Sequence, residues 1–385
     1  MSRPQRRTCG DHHGSHHADH RGRRQQSLAR AALAIESAAA ARHPPLRAAL
    51  LVACAVLAHR LDRIEEAQRY AAAALSLAPA PGEDTHHTRI EALRVLLGTE
   101  LKLGRLDLAR KHGEEALALA REGGDPRLVA VMLGNLAVVE KRLGRYAESL
   151  ALSHQALQTF RLLGSFIDEA RNLNNLADLE MMMGAWDDAE VHLGEALALS
   201  ERHGLRSVQG LALANLSFAA AQRRDLPTAI RRAREALPVV TDVGDRIHCA
   251  AVRQQLARLE LRQGHAAVAV AELAAAMDEA QQVGDPLLEL HGLFVAVELL
   301  AASDAEAAAA LLGFIVGHPS AEASVRGEAE EHRAPLAERT RGEPLAWPAG
   351  LGLAQVVGCI ASDPVHGVER LRRWIRGDET APSAA

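Results

Sequence analysis

Apolar residues along this chain recur at the three- and four-residue spacing of amphipathic helices, and glycine interrupts them at regular intervals. Leu176, Leu179 and Met183 form one such stripe; Ala189, Leu193, Ala196 and Leu197 form the next. Gly124, Gly164, Gly204, Gly244 and Gly284 stand 40 residues apart, with Asp after three of them and Asp-Pro after Gly124 and Gly284. A glycine just past a helix end takes the left-handed conformation that ends it, and a following proline discourages continuation. A second series lies 20 residues away, at Gly104, Gly144, Gly184 and Gly264, with Arg224 and Asp304 in the same register. The first series marks the end of each unit and the second the turn inside it. Each unit is therefore a helix, turn, helix hairpin.

Small residues recur where two helices must approach. They are Ala109, Ser149, Ala189, Ala229, Ala269 and Ala309 in the second helices, then Ala116, Ala156, Ala196, Ala236 and Ala276 seven residues later on the same face. The first helices supply a large partner at Leu96, Leu136, Leu176, Leu216 and Leu256. Stacking such hairpins buries what one alone would expose. Register extends the series to seven units over 47–317, the first with two extra residues in the loop around Pro79 and Pro81. Flanking it, the pattern predicts a disordered His- and Arg-rich tail over 1–25, a capping helix over 26–46, a C-terminal helical cap over 318–376 and a disordered tail over 377–385. The cap reads as three helices. The last, Glu369 to Ile375, either closes the array with Trp374 against its end or docks on a partner.

Composition supports an all-α fold. Only 3% of the 385 residues are aromatic, while Ala and Leu dominate, which suits close helix packing and not strands. The net charge of −5 divides into +5 for residues 1–30 and −10 for the rest, so the main body lacks the basic stripe of a nucleic-acid binder. The longest apolar run, Ala48 to Ala58, is too short to span a bilayer, and the N-terminus has no apolar leader core. The expectation is a cytoplasmic protein with no membrane partner. Cys9, Cys54, Cys249 and Cys359 lack the spacing of a zinc or redox site and read as buried or incidental thiols.

The run Asn174-Asn175-Leu176-Ala177, with Gly184, Trp186, Ala189, Ala196 and Leu197 following in register, resembles a tetratricopeptide repeat. The 40-residue unit is similar to the kinesin light chain subtype. Glu100, Glu140, Glu180 and Glu260 depart from the pattern, occupying a first-helix position where the family usually has Tyr. A weaker resemblance links the array, and the segment Leu311 to Pro319, to the C-terminal sensor region of large bacterial ATPase-coupled transcription regulators, although the chain shows neither a Walker A motif nor a convincing helix-turn-helix. The tetratricopeptide resemblance implies a right-handed superhelical solenoid of about seven antiparallel helix hairpins, whose first helices line a concave groove for a protein or peptide.

At one position of that groove successive repeats place Val95, Asn135, Asn175, Asn215, Gln255 and Val295. Four consecutive carboxamides there can pair with the backbone of an extended peptide, or can instead cap local backbone and stabilise the stack. Arg94, Lys141, Arg142, Arg171, Asn174, Asp178, Gln254, Arg258 and Arg262 project to the same side on family geometry. The arginines among them suit a peptide carrying carboxylates. The expected function is a non-enzymatic protein- or peptide-binding scaffold in regulation or signalling; the alternative is a small-ligand or peptide sensor derived from a bacterial ATPase-type regulator. No catalytic constellation, metal site or cofactor is expected. The aligned glutamates read as ion-pair partners, with a hidden buried acid as the alternative. The histidines of Asp11 to His20 read as part of the disordered tail, with metal binding as the alternative. An imperfectly capped end at 46 or 317 leaves room for a second copy to stack.

Overall fold

The computed structural model describes residues 26–33, 43–61, 63–77, 83–340 and 345–381. Eighteen helices and no strand are present among the described residues. Helix α1 covers 26–33, and fourteen helices then pair in sequence as seven hairpins. They are α2 (Pro44–Arg60) with α3 (Ile64–Leu77), α4 (Glu83–Lys102) with α5 (Leu106–Glu122), α6 (Pro126–Arg142) with α7 (Tyr146–Leu163), and α8 (Phe166–Met182) with α9 (Trp186–His203). The last three are α10 (Arg206–Gln222) with α11 (Leu226–Asp242), α12 (Arg246–Arg262) with α13 (Ala266–Val283), and α14 (Pro286–Ser303) with α15 (Ala305–Gly317). Helices α16 (Ala323–Arg339), α17 (Leu353–Ser362) and α18 (Gly367–Arg376) follow. The chain divides into two units, Met1–Val208 and Gln209–Ala385.

The turn chemistry explains the 20-residue beat. At Gly184 the backbone enters the left-handed region, φ +77°, and the Ala185 N–H reaches back to the Glu180 carbonyl at 2.8 Å, satisfying a carbonyl that the helix end would orphan. The Asp after Gly124, Gly244 and Gly284 then caps the next helix. Asp125 Oδ1, for example, accepts from the Arg127 and Leu128 N–H groups at 2.9 and 3.1 Å, with Pro126 opening the first turn where no donor is needed. Arg224 takes the glycine's place with φ +63°, the one non-glycine with positive φ among the described residues.

Packing follows from the small residues. Ala109, Ala116, Ala156, Ala189, Ala196, Ala229, Ala236, Ala269 and Ala276 are all completely buried, and the leucines at Leu96, Leu136, Leu176, Leu216 and Leu256 are buried beside them. Ser149 keeps the register by donating its hydroxyl to the Ala137 carbonyl at 2.7 Å, so its polarity is satisfied in the core. Cys54, Cys249 and Cys359 are free buried thiols; burial pushes Cys359 up to about 11. Cys9 and the histidine tract of 11–20 lie outside the described residues.

Three boundaries differ from the sequence expectation. The helix expected over 26–46 is described over 26–33, and Pro44–Arg60 already belongs to the first hairpin, because consecutive prolines open a new helix. The tail expected from 377 is ordered to 381: Arg373 pairs with Glu379 at 3.2 Å, and Ala381 packs against the C-terminal core. Asp304 does not replace a turn glycine. It is a one-residue joint, φ −149°, whose carboxylate caps α15 through the Ala307 N–H at 3.0 Å.

That carboxylate also anchors the cap. Buried Asp304 accepts from Arg376 Nε at 2.8 Å and Nη2 at 2.5 Å, and Arg372 Nη1 stands 3.4 Å away. Around this bidentate pair, Leu371, Trp374 and Ile375 of α18 join Val356 and Ile360 of α17, Val325 and Ala329 of α16, and Phe294 and Leu300 of α14 in one apolar cluster. Helix α14 is the one described helix long and apolar enough to cross a membrane; here its Leu290, Leu293, Phe294 and Val297 are core residues.

Replacing Arg224 by Gly relieves left-handed strain, so R224G is expected to stabilise the protein by about 1 kcal/mol and raise its melting temperature. Hydrogen bonds from Arg376 hold the Asp304 carboxyl down from its ordinary 3.8 to about 2. A carboxyl depressed in the folded state stabilises fully above its unfolded pKa and loses that effect as pH falls through the folded one. D304N, which keeps the cap but not the charge, is expected to cost about 2 kcal/mol at neutral pH. In urea unfolding, the gap to the native protein closes as pH drops from 3.8 towards about 2.

Candidate functional site

In the first six hairpins the second helices carry a buried stripe of small residues, and in the seventh Ala309 is half-buried; the first helices are left to present a polar face. In the first unit this face holds a cleft of about 210 Å³ lined from α2, α4 and α6 by His59, Arg60, Arg94, Leu97 and Asn135. Arg94 is held by Glu91 through Nε at 3.1 Å and Nη2 at 2.6 Å. Beyond the cleft, Lys141 forms an ion pair with Asp178. Arg142, Arg171 and Asn175 are exposed. Asn174 departs from the expectation: one residue turns an α-helix by about 100°, which takes it off the open face and leaves it buried.

In the second unit the face is partly covered. Helix α16 turns its acidic side towards α12 and α14, where Glu328 pairs with Arg258 and its carboxylate accepts from His291 Nδ1 at 2.7 Å. Arg258 Nε also approaches Glu298 at 3.4 Å, and the His332 ring stacks on Phe294 with centroids 5.4 Å apart. Burial raises the Glu298 carboxyl, while His291 and Arg258 overcome the burial of Glu328 and lower it. Between α10, α12 and α16 lies a cavity of about 530 Å³, lined among others by Phe218, Gln255, Arg258, Leu259, Arg262 and Glu328.

The carboxamide row thus divides. Asn175 is exposed and Asn135 half-buried in its cleft. Asn215 is half-buried and has an internal partner. Gln255 donates Nε2 to Ser217 Oγ at 2.8 Å, and the Ser217 hydroxyl donates in turn to the Ala229 carbonyl at 2.7 Å, so this amide ties α12 to α10. Gln254 is a buried tie as well, donating to the Leu288 carbonyl at 3.1 Å. At the ends of the row Val95 and Val295 are buried, the latter in the core that includes α16. Val295 stands where α16 closes the face, and Asn175 where it reaches solvent.

The four glutamates are buried and paired. Glu140 meets Arg110 at 3.0 Å, Glu180 meets His192 at 2.9 Å, and Glu260 meets Arg234 at 2.6 Å and His265 at 2.8 Å. Glu100 accepts from Gln68 at 2.8 Å. An acid replacing Tyr in the first helix is answered by a donor or cation from a neighbouring helix or turn, which is why the packing tolerates it. The sequence reading missed Glu328 and Glu331. Their spacing against buried Val325 and Ala329 on the other side of α16 is a two-faced helical pattern visible in the sequence.

Residues 128–202, spanning α6 to α9, match the tetratricopeptide repeat family model. Hairpins α6–α7 and α8–α9 are therefore tetratricopeptide repeats by sequence, and the other five share their helix-turn-helix form. Regulatory protein AfsR of Streptomyces coelicolor is 31% identical over 153 residues, which are 39% of this chain and 15% of AfsR; the match therefore spans a minor part of that relative. A Rap protein complexed with Competence and Sporulation Factor shares the fold at TM-score 0.59 and 14% identity, over 86% of this chain and 88% of the Rap chain. A signal transduction ATPase with a tetratricopeptide repeat sensor, PH0952 from Pyrococcus horikoshii, shares it at TM-score 0.53 and 15% identity, over 75% of this chain and 42% of that one.

Proposed function

We propose that this protein is a non-enzymatic regulatory scaffold of the cytoplasm that binds a protein or peptide on the polar face of its first helices. The carrying observation is the exposed pair Arg171 and Asn175 on α8, one helical turn apart, with Arg142 exposed at the end of α6. A carboxamide supplies both a donor and an acceptor to an extended backbone, and a guanidinium grips a carboxylate through two parallel bonds. Arg171 and Asn175 are candidate contacts with no packing duty. Asn135, beside Arg60 and Arg94 in its cleft, extends the same chemistry. Arg258 and Gln255 instead hold their own unit together. The buried glutamates are engaged in ion pairs and hydrogen bonds, which favours binding over acid catalysis. The Rap structure, solved with Competence and Sporulation Factor, supports the same reading by its fold.

A second reading makes the chain a ligand-sensing module of a larger type of regulator, and the match to AfsR favours it. In that case ligand would alter the solution scattering of the chain.

The test compares affinity capture from the native cytoplasm by the intact chain and by R171A/N175A. Substitutions at such exposed positions should shift stability by no more than about 0.5 kcal/mol each. The account expects an unchanged melting temperature and a partner whose retention falls roughly tenfold in the variant. Equal retention by both chains would remove this face from the binding site.

A further inference from the structure

The cavity between α10, α12 and α16 has walls of different charge. Arg262 of α12 and Glu331 of α16 both line it and both are exposed. Neither makes a direct ion pair with another described residue, although the Arg262 charge is felt by the Glu298 carboxyl, which it lowers against the effect of burial. The other two charges in the lining, Arg258 and Glu328, neutralise each other. One cation and one anion are left over, contributed by separate helices to a space of about 530 Å³, which is within the size range of pockets that hold small ligands.

The acidic wall is fixed in place. Val325 and Ala329, on the other side of α16, are fully buried in the cap core, and Glu328 is held from α12 by Arg258 and from α14 by His291. A wall so tied to the array is preorganised, and a ligand need not order it. Between the charges the lining offers Leu259 as apolar surface and Gln255 as a polar group. Gln255 spends its Nε2 on Ser217 and keeps a carbonyl oxygen that can accept a peptide N–H.

We infer that this cavity is a site for short peptides with both ends free, the α-carboxylate held by Arg262 and the α-ammonium by Glu331, with the backbone crossing Leu259 and meeting Gln255. The inference deepens the peptide-binding reading above and rests on it. A zwitterion meets both charges at once, whereas blocking either end of the peptide leaves one wall charge without its partner inside a partly desolvated space.

The test presents the full chain with randomised tetrapeptide pools that are free at both ends, N-acetylated, or C-amidated, and reads the retained peptides by mass spectrometry. The expected result is enrichment from the free pool and about tenfold less from either blocked pool. R262Q should abolish the preference for a free carboxylate and E331Q the preference for a free amine. Both side chains are exposed, and an unchanged melting temperature confirms the fold of each variant. Equal enrichment of free and blocked pools overturns the inference and leaves peptide binding itself standing. No enrichment of any pool also overturns it, while the α8 face is judged separately by its own capture experiment.

Discussion

Close approach of helices through alanine is the constraint on which the rest of the structure depends. Ala189, Ala196, Ala229 and Ala236 are completely buried, and at Ala229 the first helix comes close enough for the Ser217 hydroxyl to reach its carbonyl at 2.7 Å. A larger side chain at such a position forces off-rotamer packing or a shifted helix, at a cost of about 1–3 kcal/mol. With alanine there, each second helix nests against its partner, and the large leucines of the first helices fill the space beside them. The stripe thereby assigns the two helices of each hairpin different work. Second helices build the stack, and first helices keep a face that need not be apolar.

What that face does depends on what lies over it. In the first unit Asn175 and Arg171 reach solvent, and such residues are available to a partner at little cost in stability. In the second unit α16 crosses the face, and the chemistry changes with it. Val295 is fully buried, Arg258 turns to Glu328, and His332 stacks on Phe294. The cap that terminates the array is held by a bidentate pair between Asp304 and Arg376. The same cap supplies one wall of the cavity that Arg262 and Glu331 line from opposite helices.

The hairpins were legible because their signals are local and repeated: a left-handed glycine, an aspartate cap and an alanine stripe each recur in register, so one misreading cannot shift the whole. The cap was legible as three helices but not in its attachments. Asp304 shares the turn register, and only the docked α18 shows that it serves as an anchor. The candidate site was read less completely, because face position and availability are different properties. Asn175 and Asn174 are adjacent in the sequence, yet one is exposed and the other buried. Gln255 belongs to the amide row but is tied to Ser217, and Arg258 has its carboxylate supplied by a helix 70 residues away. Such long-range pairings leave no trace in repeat spacing.

The central claim is that the first helices bind and the second helices support. Backbone hydrogen exchange on the intact chain, with and without a protein retained in the capture experiment, tests it most directly, because exchange reports protection segment by segment. The account predicts added protection in α6 and α8, around Asn135, Arg171 and Asn175, with α7 and α9 unchanged. Protection confined to the second helices or to the turns between hairpins would contradict it.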